Sequence, residues 1–247
     1  MKVVFHPDFQ TVYTSDPAAA EGRIEAVVDA IRDQAEFVAA VPASEDDIRA
    51  VHTAMHVMRV REKGLYEISA LAAGGAIQAA EIGLQEPCFA AIRPPGHHAS
   101  ADSSWGFCYF NNMAVALTSL KRRKLIASAF VLDFDLHFGD GNVNILGPQP
   151  WVEIHNPRER DRHEYLREVA QVLSGVTADI IGISAGFDHH REDWGGLLET
   201  DDYYRMGFLV RETANRCRGG CFAILEGGYN HEMIGPCAAA LTAGMSA

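Results

Sequence analysis

Acidic residues and a histidine stand close together at the end of one apolar run, in the stretch VLDFDLHFGDG. Asp135 and His137 are two residues apart, so on an extended backbone both side chains share a face and can bind one ion. Asp188 follows a later apolar run and can supply a third ligand from a neighbouring strand. Such a set leaves coordination positions open, as catalytic metal sites do, whereas structural zinc normally has four protein ligands. Its oxygen and nitrogen donors suit Zn²⁺, and also Fe²⁺, Co²⁺ or Mn²⁺. A lone Asp-x-His pair is equally compatible with a strand-end cap and a core histidine.

Two adjacent histidines, His97 and His98, form a second candidate group. Histidines beside a metal are effective when each has its own carboxylate, because a carboxylate on one ring nitrogen fixes the tautomer and raises the basicity of the other. Asp133 and Asp140 flank the proposed ligands and are the natural partners. Taken alone, the pair would more often belong to an exposed loop.

A GGY turn and an aromatic segment complete the candidate chemistry. Gly228 lets the backbone approach closely, and Tyr229 is placed to aim its hydroxyl at an oxyanion. Gly106 and Phe107 are candidates for an apolar wall of a substrate slot. The simpler interpretations are an ordinary turn and a core aromatic residue.

These residues need elements to position them, and the chain alternates short apolar runs with helical patterns. The predicted strands are Val3–Phe5, Cys88–Ile92, Ser128–Phe134, Trp151–Ile154, Asp179–Ser184 and Cys221–Glu226. The predicted helices are Gly22–Val38, Ser69–Gly83, Asn111–Lys124, His163–Leu173 and Asp201–Cys217. This alternation predicts an α/β protein with a parallel sheet covered on both faces. Polar residues follow every run, so we expect all six strand ends to meet at one crevice.

Composition narrows the class of protein. The 247 residues suit one domain over residues 1–247, and a net charge of −12 argues against a nucleic-acid partner. No segment approaches the roughly 20 apolar residues of a membrane span. The N-terminus becomes polar too early for a signal peptide, so we expect a cytoplasmic protein. The five cysteines form no CxxC pair, which indicates neither a disulfide framework nor a zinc ribbon.

Five ordered motifs resemble those of the histone deacetylase superfamily, which includes acetylpolyamine amidohydrolases and bacterial deacetylase-like proteins. The motifs are RPPGHHA, GFCYFNN, DFDLHFGDG, SAGFDHHREDWGGL and LEGGYN. The resemblance implies a three-layer α/β/α sandwich around a mainly parallel sheet, the arginase/deacetylase fold. It also implies a metal-dependent amidohydrolase.

The resemblance assigns a role to each candidate residue. It implies that Asp135, His137 and Asp188 bind Zn²⁺ or Fe²⁺. It makes His98 a general base backed by Asp140, and His97 an electrostatic group backed by Asp133. It makes Tyr229 the hydroxyl that helps to polarise the amide carbonyl. Family members also bind K⁺ near the segment that corresponds to Asp133–His137.

The chain departs from the family in two short connections, Ala54–Leu71 and Asn156–Glu164, and in Phe138, where relatives commonly have a second histidine. Relatives use the two connections to build a narrow tunnel. We therefore expect an open slot walled by Phe107 alone, with weak selectivity among short acyl groups. The alternative is a slot completed by a second subunit, in a homo-oligomer.

The sequence thus favours hydrolysis of an N-acetyl or other short N-acyl amide, in a small molecule or peptide such as an acetylpolyamine or acetyl-lysine. One alternative is an arginase-like ureohydrolase, which needs further aspartates for two Mn²⁺ ions. The other is a metal-holding binding module without turnover.

Overall fold

Seven strands form the centre of the protein in a computed structural model that spans residues 1–247. They are β1 (Lys2–Phe5), β2 (Glu36–Ala39), β3 (Cys88–Ala90), β4 (Ala129–Asp133), β5 (Val152–His155), β6 (Ile180–Ala185) and β7 (Gly220–Leu225). Their order in the sheet is β2-β1-β3-β7-β6-β4-β5, and every neighbouring pair is parallel. All six predicted strands are confirmed.

The seventh strand, β2, lies at one edge of the sheet and was not predicted. Most of this strand falls within the predicted helix Gly22–Val38, which is wrong at its C-terminal end. The helix stops at Ile31, a 3₁₀ turn follows over Arg32–Gln34, and Glu36 pairs with Lys2. The side chains of β2 are mostly exposed, so this edge strand shows no continuous apolar run of the kind that marks buried parallel strands.

Helices cover both faces of the sheet. They are α1 (Arg23–Ile31), α2 (Glu45–Arg49), α3 (Ala54–Glu62), α4 (Tyr66–Gly83), α5 (Asn112–Arg122), α6 (Asp140–Leu146), α7 (Arg162–Gly175), α8 (Thr200–Cys217) and α9 (Ile234–Ser246). One layer packs α1, α7, α8 and α9 together, and the other packs α2 to α5. The predicted α/β/α sandwich is confirmed. None of these helices has the length and apolar character needed to cross a membrane.

The strand order brings the carboxyl ends of β3, β7, β6 and β4 side by side at the middle of the sheet. The loops after these four strands carry the candidate site residues. The end of β5 joins them, because Asn156 follows this strand, accepts the N–H of Gly139 at 2.9 Å and lines a cavity together with Asp135. The end of β1 does not, because His6 lines a separate cavity, so the expectation that all six ends converge is wrong for β1. His6 accepts a hydrogen bond from the backbone of Asp8, and His155 lies 3.0 Å from Glu168. Both histidines are therefore engaged locally, one or more strands away from the site.

Candidate active site

Asp135, His137 and Asp188 form the floor of the site, and this name is kept for the three residues below. Their donor atoms lie within 4.8 Å of one another. The Nδ1 atom of His137 is 3.2 Å from Oδ1 of Asp135 and 3.1 Å from Oδ2 of Asp188. Both carboxylates are buried, while the histidine is partly exposed. The predicted metal ligands therefore converge, with one side of the cluster facing solvent.

The floor fits a divalent cation on two physical grounds. The buried Oδ2 of Asp188 accepts no well-oriented hydrogen bond, so it is an acceptor that a cation would satisfy. In addition, the adjacent carboxylates of Asp135 and Asp188 raise the pKa of His137 to about 10. Two buried carboxylates thus favour positive charge between them. The oxygen and nitrogen donors match the preferences of Zn²⁺ and Fe²⁺.

His97 is enclosed beside the floor and is backed by Asp133, as predicted. Its Nδ1 lies 3.3 Å from Oδ2 of Asp133, and its Nε2 lies 3.7 Å from Oδ1 of Asp135. Burial alone would lower the pKa of His97, but Asp135 and Asp133 raise it well above its usual value. The two carboxylates therefore favour the protonated form of this imidazole.

His98 has the opposite electrostatic character although it is the next residue. Burial and the neighbouring His97 lower its pKa to about 4, so it is neutral at pH 7. Its Nδ1 lies 2.7 Å from Oδ1 of Asp140. Trp105 stacks on the imidazole at 3.7 Å between ring centroids and donates its indole N–H to the other oxygen of Asp140 at 2.9 Å. The predicted His98–Asp140 pair is thus present, with an indole that sequence reasoning left without a role.

Tyr229 is held from several sides. The ring of Trp194 stacks on it at 4.0 Å, Phe107 meets it edge-on at 5.9 Å, and the guanidinium of Arg23 lies 5.5 Å from its centroid. Burial and the charge of Asp135 raise the pKa of its hydroxyl far above the usual value. The phenol is therefore fixed and protonated, as a hydrogen-bond donor must be.

The histidine pair, His137 and Tyr229 line one cavity of about 260 Å³, called the slot below. Its exposed rim, called the mouth, consists of Trp105, Phe107 and Trp194. The expectation of a slot walled by Phe107 alone is therefore wrong, because Trp105 and Trp194 line the same cavity. Phe107 has φ of +68°, a left-handed conformation that is uncommon for a bulky residue and is often found at functional sites.

The glycines of the site have different roles. Gly106 lines the slot, and a Cβ atom there would lie 2.4 Å from Cδ2 of His98. Gly227 also lines the slot, and its N–H donates to Asp135 at 2.8 Å. Gly228 is not among the residues that line the slot, and its predicted contact with substrate stays a prediction. It has φ of +111°, and its carbonyl accepts a hydrogen bond from Arg23 at 2.7 Å, so its function is to turn the chain toward Tyr229.

Glu226 is a site residue that sequence reasoning missed. It is fully buried and accepts hydrogen bonds from the backbone N–H groups of Gly96, at 2.7 Å, and His97, at 3.2 Å. Burial raises its pKa to about 7. The carboxylate therefore ties the loop after β3 to the end of β7. A charged residue that closes an apolar run is the signal that would have identified it.

The comparisons with known proteins agree with this geometry. The family model for the histone deacetylase domain matches residues 18–156 and 147–245. The probable deacetylase of Methanothermobacter thermautotrophicus is 29% identical, over 95% of this chain and 87% of the relative. The probable deacetylase of Archaeoglobus fulgidus is 30% identical, over 92% of this chain and 77% of the relative. The crystal structure of the HDA15 HD domain superimposes with a TM-score of 0.85, at 23% identity, over 98% of this chain and 88% of the other.

Fold and site together define a hydrolase of the deacetylase class built on a parallel α/β sheet. The chain belongs to the histone deacetylase family. That family implies a divalent metal, usually zinc, and the floor is a possible site for it. The alignment with the first relative spans 293 positions, whereas this chain has 247 residues, so the relative carries additional residues.

Proposed function

We propose that this protein hydrolyses N-acetyl or other short N-acyl amides of amines, such as acetyl-lysine or an acetylpolyamine. The observation that carries the proposal is that His137 of the floor, His98 of the His98–Asp140 pair and Tyr229 line a single slot. Each of these groups alone has a simpler explanation. Their common cavity supports one reaction that needs all three.

Asp135, His137 and Asp188 would hold the ion, for which we propose Zn²⁺. When bound, such a metal acts as a Lewis acid toward a carbonyl and lowers the pKa of water. The Gly227 N–H and the backbone N–H of Leu136 orient the two carboxylates, at 2.8 Å and 3.1 Å. These donors keep the ligands in position before any ion arrives.

His98 is the proposed general base. Its Nδ1 is committed to Asp140, so Nε2 is the nitrogen left to accept a proton from the attacking water. Because its pKa is lowered to about 4, the imidazole is in the acceptor form at neutral pH. The same proton can then pass to the leaving amine, which completes the hydrolysis.

His97 and Tyr229 are proposed to stabilise the negative charge that develops on the carbonyl oxygen. His97 contributes a buried positive charge, held by Asp133 and Asp135. Tyr229 contributes a hydroxyl donor whose high pKa keeps it protonated. A donor of this kind typically contributes about 10²- to 10³-fold in rate.

A panel of fluorogenic acyl-lysines and acetylpolyamines, incubated with Zn²⁺-loaded protein, tests the proposal. We expect release of amine and carboxylate in equal amounts, and nearly none from the matched His98→Ala protein. Parallel loading with Fe²⁺, Co²⁺ and Mn²⁺ identifies the preferred ion. Equal turnover by the wild type and His98→Ala would contradict the proposed mechanism.

The arginase-like alternative is less well supported. Asp135, His137 and Asp188 are the only group of three or more His, Cys, Asp or Glu residues in the protein with metal-site spacing, and a two-metal reaction needs a second set. Urea release from arginine would reinstate that alternative. No turnover on any amide would favour the binding module. A K⁺ site near Asp133–His137, one domain over residues 1–247 and a homo-oligomer stay predictions.

A further inference from the structure

Trp105 contacts both members of the His98–Asp140 pair, although its side chain is 54% exposed. Its ring stacks on the imidazole of His98 at 3.7 Å between ring centroids, with 30° between the ring planes. Its indole N–H donates to Oδ2 of Asp140 at 2.9 Å, while Oδ1 of the same carboxylate lies 2.7 Å from Nδ1 of His98. The three side chains therefore form a closed set in which each one contacts the other two.

The two histidine–carboxylate pairs of the site differ in how their carboxylates are held. Asp133, which backs the first histidine, has a fully buried side chain and accepts a hydrogen bond from the amide of Asn142 at 2.9 Å. Asp140, which backs the second histidine, has a side chain that is 35% exposed. Water can therefore compete for Asp140. Besides the histidine itself, the indole of Trp105 is the only side chain that donates to this carboxylate.

The turn that follows Trp105 holds its indole in this position. The backbone N–H of Cys108 donates to the carbonyl of Trp105 at 3.0 Å. Between them, Gly106 and Phe107 have φ of +58° and +68°. A Cβ atom at Gly106 would lie 2.4 Å from Cδ2 of His98, so only glycine lets the turn lie this close to the imidazole. The position of the indole is therefore set by the backbone and not by its own side-chain rotamer alone.

We propose that Trp105 is a positioning residue for His98, which it orients through Asp140. This inference rests on the proposed amide hydrolysis, in which His98 accepts a proton at Nε2. A carboxylate that binds one imidazole nitrogen fixes the tautomer, and with it the nitrogen that faces the attacking water. Trp105 supplies the second hydrogen bond that keeps Asp140 in place, and its ring covers one face of the imidazole.

Trp105→Phe tests the hydrogen bond, because phenylalanine keeps an aromatic ring but donates no hydrogen bond. In full-length Zn²⁺-loaded protein with verified metal content, kcat for an acetyl amide should fall by about tenfold, as for other losses of support behind a functional group. KM should change little, since the ring is kept. Trp105→Ala, which also removes the ring, should lower kcat further.

Trp151→Phe is the matched control for the loss of an indole N–H. The indole of Trp151 also donates to a side chain, that of Gln149, but it does not line the slot. Its kcat and KM should equal those of the wild type.

Nuclear magnetic resonance of Zn²⁺-loaded protein with isotope-labelled histidine provides a second readout that needs no turnover. In Trp105→Phe the Nδ1 proton of His98 should exchange with solvent about tenfold faster than in the wild type, the size expected for the loss of one hydrogen bond. The Nδ1 proton of His97 is the internal control, because Asp133 is held by Asn142 instead. Its exchange should be unchanged.

With an active enzyme the inference requires both changes in Trp105→Phe, the lower kcat and the faster exchange at His98. Either change without the other, or an equal loss of kcat in Trp151→Phe, would overturn it. If no amide is hydrolysed, the proposed function fails and the exchange measurement alone decides whether Trp105 positions His98. If amides are hydrolysed and neither readout responds to Trp105→Phe, the inference fails and the proposed function stands.

Discussion

The floor and the mouth of the slot meet where the rings of His137 and Trp194 lie 6.1 Å apart, yet they are built in different ways. Asp135 and Asp188 are buried at the ends of central strands and accept backbone N–H groups. Trp105 and Trp194 lie in loops and are more than half exposed. The floor is therefore fixed by the sheet, whereas the mouth is fixed by stacking and by hydrogen bonds between loops.

This difference separates the groups that the reaction requires from the groups that support them. Changes in the floor should abolish the reaction, because the protein has no second group of side chains with metal-site spacing. Changes in the mouth should lower the rate or the local stability by smaller amounts, because stacked rings contribute only about 0.5–1.5 kcal/mol beyond their burial. The following predictions test that separation, from the largest expected effect to the smallest.

Removal of a ligand should have the largest effect. His137→Ala and Asp188→Ala should each lose stoichiometric metal and all activity, because two donors in place of three hold an ion poorly. Elemental analysis of the purified proteins measures the metal content. Trp105→Phe, altered only in the mouth, should keep a full equivalent. If both ligand variants also keep a full equivalent, the floor is not the metal site.

Substitutions that leave the floor intact but remove a reacting group come next. His98→Ala and Tyr229→Phe should each lower kcat by roughly 10²-fold or more, with a smaller change in KM. Steady-state kinetics on protein with verified metal content measures this. Near wild-type kcat in both variants would exclude the assigned roles.

Gly227→Ala should weaken the floor without removing a ligand. A Cβ atom at this position would lie 2.6 Å from both Oδ2 of Asp135 and Oδ2 of Asp188, so the carboxylates must move apart. We expect metal affinity to fall by about 10- to 100-fold, as for other losses of ligand support. Competition with a chelator measures the affinity. Gly175→Ala is the control, since its Cβ would meet nothing within 4 Å. Equal affinities in both variants would show that the floor tolerates displacement.

The smallest effect concerns the pH dependence of the mouth. His52 is buried. Its Nδ1 lies 3.0 Å from the carbonyl oxygen of Ser100, and its Nε2 accepts the N–H of Asn111 at 2.9 Å. Ser100 and Asn111 mark the two ends of the segment that carries Trp105. Burial lowers the pKa of His52 to about 3 from 6.5. Between about pH 3 and pH 6.5 the unfolded chain therefore binds one proton more than the folded protein does. This difference in bound protons lowers the free energy of unfolding by about 1.4 kcal/mol for each pH unit below 6.5.

Chemical denaturation at pH 5 and pH 7 tests this prediction. His52→Gln should lose less stability between the two pH values than the wild type does, because glutamine takes up no proton. The exposed His231→Gln protein should behave as the wild type. Equal losses in all three proteins would show that His52 does not govern the acid sensitivity.

Sequence patterns predicted the floor better than the mouth. Asp135 and His137 interrupt an apolar run at a spacing of two, and Asp133 and Asp140 beside them distinguish this stretch from a lone Asp-x-His pair. The six predicted strands were correct because buried parallel strands are continuously apolar, which makes them visible in the sequence. Glu226 belongs with these residues, because it also closes a buried run.

The mouth has no comparable signal. Trp194 lies in a loop, where neither periodicity nor charge marks it, and its role depends on stacking against Tyr229 from another loop. The edge strand β2 escaped prediction because its backbone pairing leaves its side chains exposed. The sequence predicts a close backbone approach at Gly228, but it does not reveal the positive φ of this residue or the hydrogen bond that its carbonyl accepts from the buried Arg23.

The order of the strands has a consequence for the newly made chain. β7 lies between β3 and β6 in the sheet, although it is the last strand to be synthesised. A nascent chain released from the ribosome as far as α8 would hold all three ligands of the floor but neither Glu226 nor Tyr229, and the sheet would have a gap at its centre. Pairings between segments so distant in sequence form slowly. Maturation of the site therefore awaits the insertion of the final strand.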